Sequence, residues 1–295
     1  MASILKEAST LLKKNRDTLL KQNLCFFLIF VILNFITQKI SLKINEPLLT
    51  SMQNMATADS IKDFLSTDFS QITQKYLPFF LILTILFSFL KYIYNCLIVY
   101  NIAKNDNQII RNTHLPSIFA IFITFVLSKL MCGFGFLLFI IPGIIFSVLL
   151  LMVPCIIVTE NKTGFDSFDR SFYFMKKDMV NIIKKLFLFW IIYFCIIFAS
   201  STCINFIQII LYKVINFLSL NMLLVIVDNI FIILNSCIDT ILYMVLSIII
   251  QSILYVHYLR HSELVQRTEQ YEERKYAPKD YYREKEEPDD DEDNF

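Results

Sequence analysis

Long apolar runs separated by short polar stretches organise this chain, and six of them read as membrane-spanning helices. They cover about Leu24 to Gln38, Leu77 to Tyr100, Ile118 to Cys132, Leu137 to Val158, Leu186 to Tyr212 and Ser236 to Tyr258. A helix needs about 20 apolar residues to cross a hydrocarbon core roughly 30 Å thick. The first and third runs are short, so they are expected to tilt little or to borrow flanking residues. The last apolar run begins at Asn221 and would be about 55 Å long as one helix. Asp228, Asn229, Asn235, Ser236 and Asp239 fall in its first half. The expectation is therefore a division, with Met222 to Leu234 as an interfacial or re-entrant helix. Two full crossings there would need a turn without Gly or Pro.

All four glycines and two of the seven prolines lie between Gly133 and Gly164. Pro142, Gly143 and Pro154 are expected to put local irregularities into the fourth span. Outside the spans, three stretches repeat apolar residues at helical spacing. Phe165, Phe168, Phe172, Met175 and Met179 form one stripe and Ile61, Phe64, Leu65, Phe69 and Ile72 a second. Ile4, Leu5, Ala8, Leu11 and Leu12 form a weaker third. All three are expected to lie on the membrane as interfacial amphipathic helices. The fold class is thus all-α and polytopic, with a six-span domain over residues 1–260. A charged tail over 261–295 lacks an apolar period and is expected to be irregular, with partner binding as an alternative role.

Composition agrees with lipid as the solvent. Hydrophobic residues make up 56% of 295 positions and charged residues 18%, too few polar side chains to cover a water-soluble surface of this size. The net charge of +1 conceals a segregation. Twenty Lys and Arg flank the spans on one side, the side of both termini, against five on the other. Excess positive charge marks the cytoplasmic side, so both termini are expected there. The N-terminus does not read as a cleavable signal, because its apolar run starts only near Leu24. Nothing points to nucleic acid. The many Phe, Ile, Lys, Asn and Tyr match the codon bias of an AT-rich genome, which lowers the weight of any aromatic cluster. Seven cysteines without a CxxC pair read as small core hydrophobes, with a Cys203–Cys237 disulfide as the alternative.

Three charges fall inside spans. Lys129, near one end of the third, and Asp239, near the outer end of the sixth, are each placed about 5 Å deep and are expected to pair, unless Lys129 extends outward to the headgroups. Lys91 lies near the bilayer centre. Pro154 cannot donate to the carbonyl of Leu150, which counts to the same depth. Lys91 is therefore expected to pack on the fourth span near that carbonyl, with extension to the cytoplasmic headgroups or a transport role as alternatives.

The run Ile141-Pro142-Gly143-Ile144-Ile145, followed by Pro154, Val158, Gly164, Arg170 and Ser171, resembles the YciC-type family of bacterial inner-membrane proteins. His114-Leu115-Pro116 and Phe35-Ile36-Thr37 also fit, so the likeness spans about Asn15 to Arg260. It implies a six-span inner-membrane protein of undetermined role, more distantly similar to membrane domains attached to some glycerophosphodiester phosphodiesterases. It transfers no catalytic residue. Neither HExxH, GxSxG, a Walker A loop nor a paired carboxylate within one span is present, so the chain does not read as an enzyme and implies no cofactor. His257, His261 and Glu263 form a weak metal alternative to plain polar residues leaving the bilayer. The favoured function is envelope or lipid organisation, with membrane lipids and other membrane proteins as partners. The alternative is a small-molecule or lipid transporter, which would need polar residues converging at mid-membrane.

Overall fold

A computed structural model describes residues 2–53, 69–104, 116–217 and 221–276. These residues are helical apart from short connections, and no strand occurs among them. The helices are α1 (Ala2–Lys14), α2 (Arg16–Gln53), α3 (Phe69–Lys104), α4 (Ile118–Leu138), α5 (Ile140–Leu149), α6 (Val153–Glu160), α7 (Phe165–Phe217) and α8 (Asn221–Tyr276). Six segments are long and apolar enough to cross a membrane: Arg16–Asn45, Lys75–Lys104, Ile118–Leu138, Ile140–Glu160, Ile182–Ile215 and Leu223–Ser262. The protein is an all-α, multi-pass membrane protein.

The expected division of the last apolar run is corrected. α8 continues unbroken for 56 residues, about 84 Å, so Met222 to Leu234 is its N-terminal portion and not a separate interfacial helix. No Gly or Pro interrupts Asn221 to Tyr276, and two of the polar residues in its first half, Asp228 and Ser236, have local partners. Gln208 Nε2 donates to Asp228 Oδ1 at 3.2 Å, and Ser236 Oγ to the Ile232 carbonyl at 2.8 Å. At the other end, where an irregular tail was expected from residue 261, the helix runs on to Tyr276. Residues 277–295 lie outside the described residues.

The third span likewise runs past Cys132 to Leu138. It folds back at Phe139, a single extended residue with φ −164° and ψ 156°, into α5. Contacts symmetric about Phe139 make this an antiparallel hairpin. A Cβ on Gly135 would fall 2.9 Å from Gly143 Cα, and Ser147 Oγ donates to Cys132 Sγ at 3.6 Å. Gly143 is therefore a place of close helix approach. Pro142 occupies the third helical position of α5, where its missing N–H would have had no partner within the helix. The hairpin tip is apolar and outward-facing, with Leu137 82% and Phe139 75% exposed.

Pro154 is resolved by a change of helix. A 3-10 turn over Leu150–Met152 ends α5 and lets α6 begin with Pro154 in its first turn. The Leu150 carbonyl then accepts from the Val153 N–H, and the Leu149 carbonyl accepts the Ser171 hydroxyl from α7. Ser171 is fully buried, so Ser171→Ala leaves the part-buried Leu149 carbonyl short of a partner. Such losses cost about 1–3 kcal/mol. Ser171→Ala is expected to lower the denaturation midpoint of the detergent-solubilised protein, and an unchanged midpoint would show the bond to be idle.

The packed core lies toward the end of the bundle that holds α6 and the start of α2. Val153 to Val158 of α6 are enclosed by α3, α7 and α8, with Tyr94, Ile98, Ile102, Phe174 and Tyr255 around them. Two of the three stripes expected on the membrane join this protein core. Phe168 and Met175 are buried against it as part of the continuous helix α7, and Ala8 packs on Ile253 and Val256 of α8. Burial against a neighbouring helix satisfies the same apolar face that lipid would. Of the second stripe, Ile61, Phe64 and Leu65 lie outside the described residues.

The turn from α6 to α7 uses left-handed backbone at Asn161 (φ 53°) and Gly164 (φ 63°), residues suited to that region. Thr124 Oγ1 on α4 accepts the Gly164 N–H at 2.8 Å. Glu160 then ties three elements together, pairing with Lys162 at 3.3 Å and Arg170 Nε at 3.0 Å and accepting from Tyr258 OH at 3.2 Å.

Candidate functional site

A cavity of about 260 Å³ opens between the first, second, fifth and sixth spans. α2 lines it with Phe30 and Asn34, α3 with Phe87 and Lys91, and α7 with Tyr193 and Ile197. α8 contributes Asp239, Thr240 and Tyr243. The starts of the apolar segments explain why these residues meet. Counted at 1.5 Å per residue, Lys91 is about 24 Å from Lys75, and Asp239 about 24 Å from Leu223. Both therefore sit near the middle of their apolar segments, Lys75–Lys104 and Leu223–Ser262.

The Lys91 ammonium lies 4.1 Å from the Phe87 ring centroid and 4.5 Å from that of Tyr243. A desolvated cation over an aromatic face gains up to about 2 kcal/mol, against an insertion cost at mid-span of about 2.5 to 3.5 kcal/mol. The rings thus offset much of the burial while leaving its N–H groups available. Aromatic packing fixes the rings. Phe30 meets Phe87 at 5.6 Å and Tyr243 at 6.0 Å edge-on, and the Tyr243 hydroxyl donates to the Lys91 carbonyl at 3.5 Å. Asn34 lies beside the Asp239 carboxylate in the same lining. Thr240 Oγ1 is buried with no hydrogen-bond partner among the described residues.

Two expected partnerships are corrected by this arrangement. Lys91 does not face the fourth span, whose Leu150 carbonyl is occupied by Val153; it faces α2, α7 and α8. Lys129 does not pair with Asp239. The ion pairs among the described residues are Glu160–Lys162, Glu160–Arg170 and Glu7–Arg260. With the third span extended to Leu138, Lys129 lies about 14 Å from the hairpin tip, and its ammonium is 5.8 Å from the Phe125 ring. The charged neighbour of Asp239 across the cavity is Lys91. Pro142, Gly143 and Pro154 shape the third and fourth spans and do not reach the cavity.

Asn34, Tyr193 and Thr240 were not singled out from sequence. Asn34 stands four residues before Gln38 in an apolar run, and Tyr193 and Thr240 look like ordinary span residues. Their one sequence signal is polarity inside a span. Among the described residues no group of three or more His, Cys, Asp or Glu side chains converges on a common point. His257 and His261 pack edge to face at 4.3 Å. All seven cysteines are unpaired with one another; Cys96 and Cys155 are buried, whereas Cys25, Cys195 and Cys203 face outward. The disulfide alternative is thereby corrected.

Set against known proteins, the chain matches no family model, and neither a curated protein nor a solved structure is found similar to it.

Proposed function

We propose that this protein binds a polar ligand at mid-membrane and carries it, as a small-molecule or lipid transporter without chemistry of its own. The observation that supports this reading is the convergence of Lys91, Asp239, Asn34 and Thr240 on one cavity at bilayer mid-depth. Charge at that depth is costly and is typical of a substrate path. Envelope organisation would not require a charged cavity there, and this favours carriage over that alternative. The excess of Lys and Arg beside both termini supports cytoplasmic ends, and the Pro-Gly run of the fourth span supports a bacterial inner-membrane setting and the YciC-type resemblance as parts of the same proposal.

Native mass spectrometry of the protein released from its own membrane tests the reading. The wild type is expected to retain one polar lipid or small molecule per chain, and Lys91→Met to lose most of it while still running as a monodisperse species. Equal retention by both proteins, or none by the wild type, would overturn the proposal.

A further inference from the structure

The cavity holds two charges of opposite sign that attract each other without closing into a direct ion pair. Lys91 and Asp239 line the same space, yet among the described residues no ion pair within 4.0 Å joins them. The ammonium is held by ring faces, which meet its charge and leave its N–H donors free. The carboxylate has Asn34 beside it and, among the described residues, no cation within ion-pairing distance. A ligand of one sign would pair with one of these groups and be repelled by the other, in surroundings where water does little screening. A neutral polar ligand would leave both unpaired.

We infer that the cavity recognises a zwitterionic group, with a phosphate or carboxylate against Lys91 and an ammonium against Asp239. This inference rests on the reading above that the cavity binds a polar ligand. Four further features fit it. The cavity's formal charge is balanced, so an overall neutral ligand enters without moving net charge into the bilayer centre. Its volume, about 260 Å³, suits a headgroup or small metabolite and falls below the roughly 300–1,000 Å³ of drug-sized pockets. Thr240 lines the cavity and its buried hydroxyl has no hydrogen-bond partner among the described residues, so a turn about its χ1 offers a donor to the ligand's anionic end. Beside Tyr193 and Ile197, α7 presents Ile192, Phe194 and Ile196 outward, an apolar surface along which acyl chains can lie.

The chemistry has two sources, an aminophospholipid headgroup and a free zwitterionic solute. The full chain in detergent, titrated with phosphatidylethanolamine and with phosphatidylglycerol, separates charge classes by native mass spectrometry. Wild type is expected to favour phosphatidylethanolamine by about tenfold or more. Asp239→Asn should move the preference toward the anionic phosphatidylglycerol, and Lys91→Met should abolish binding of both. Thr240→Val, nearly isosteric and charge-preserving, should weaken phosphatidylethanolamine binding and serves where a charge variant does not fold. Glycerophosphoethanolamine, the water-soluble headgroup, distinguishes the sources: displacement of the lipid at comparable concentration marks a free solute, and no displacement a lipid. Preference for phosphatidylglycerol by the wild type, unmoved by Asp239→Asn, overturns the zwitterion and leaves the binding reading standing. Equal uptake of both lipids by wild type and Lys91→Met overturns both.

Discussion

Replacing Gly135 with alanine is expected to destabilise the protein, whereas the same change two residues earlier, at Gly133, is expected to stabilise it. Both glycines lie in α4, where alanine is intrinsically favoured by about 1 kcal/mol. Their surroundings differ. A Cβ on Gly133 meets nothing within 4 Å. One on Gly135 falls 2.9 Å from the Cα of Gly143 and 2.8 Å from the Phe146 ring. A ring can swing aside, but backbone at that distance yields only if α4 and α5 separate. The one-residue connection at Phe139 gives them little freedom to do so. Overpacking of this kind costs about 1–3 kcal/mol, and the intrinsic gain of alanine offsets only part of it. Larger side chains at Gly135 should be worse still. Denaturation midpoints of the two alanine variants in detergent check this, and a Gly135→Ala protein as stable as Gly133→Ala would contradict the hairpin packing.

The number and order of spans were legible in the sequence because length and hydropathy alone decide whether a helix can cross a bilayer. The ends were not. The third span was read as ending at Cys132, and the polar residues from Asp228 to Asp239 as dividing the last one. In both places the helix continues. Lipid offers no water to take over a freed backbone N–H or C=O, so a glycine or an aspartate is accommodated inside the helix more cheaply than a break. The errors then propagated. Counting depth from Ser236 put Asp239 near the surface, within reach of Lys129 and far from Lys91; counting from Leu223 puts it level with Lys91.

Local irregularity was legible only in outline. Pro142 and Pro154 were correctly placed in the fourth span, but their consequences depend on neighbours that no single segment reveals. Pro154 was expected to leave the Leu150 carbonyl open, and a 3-10 turn closes it through Val153. Gly143 was marked as an irregularity, and its role emerges only beside Gly135. The stripe at Phe168 and Met175 has the right period for a membrane surface, yet the same period fits a helix core. Periodicity gives a face, and tertiary packing decides what covers it. The cavity was hidden for the same reason. Asn34, Lys91, Tyr193 and Asp239 come from four helices, and nothing in one strip of sequence brings them together.

The central claim is that Lys91 and Asp239 face one another across a cavity at mid-membrane. Pairs of cysteines introduced into a cysteine-free variant test it within the native membrane. Lys91→Cys with Asp239→Cys is expected to crosslink efficiently with a short bifunctional thiol reagent, because both positions line the same space between α3 and α8. Lys129→Cys with Asp239→Cys, the pairing that linear depth counting favours, is expected to give little crosslink. The central account would be contradicted by the reverse pattern, strong linkage of 129 to 239 and none of 91 to 239.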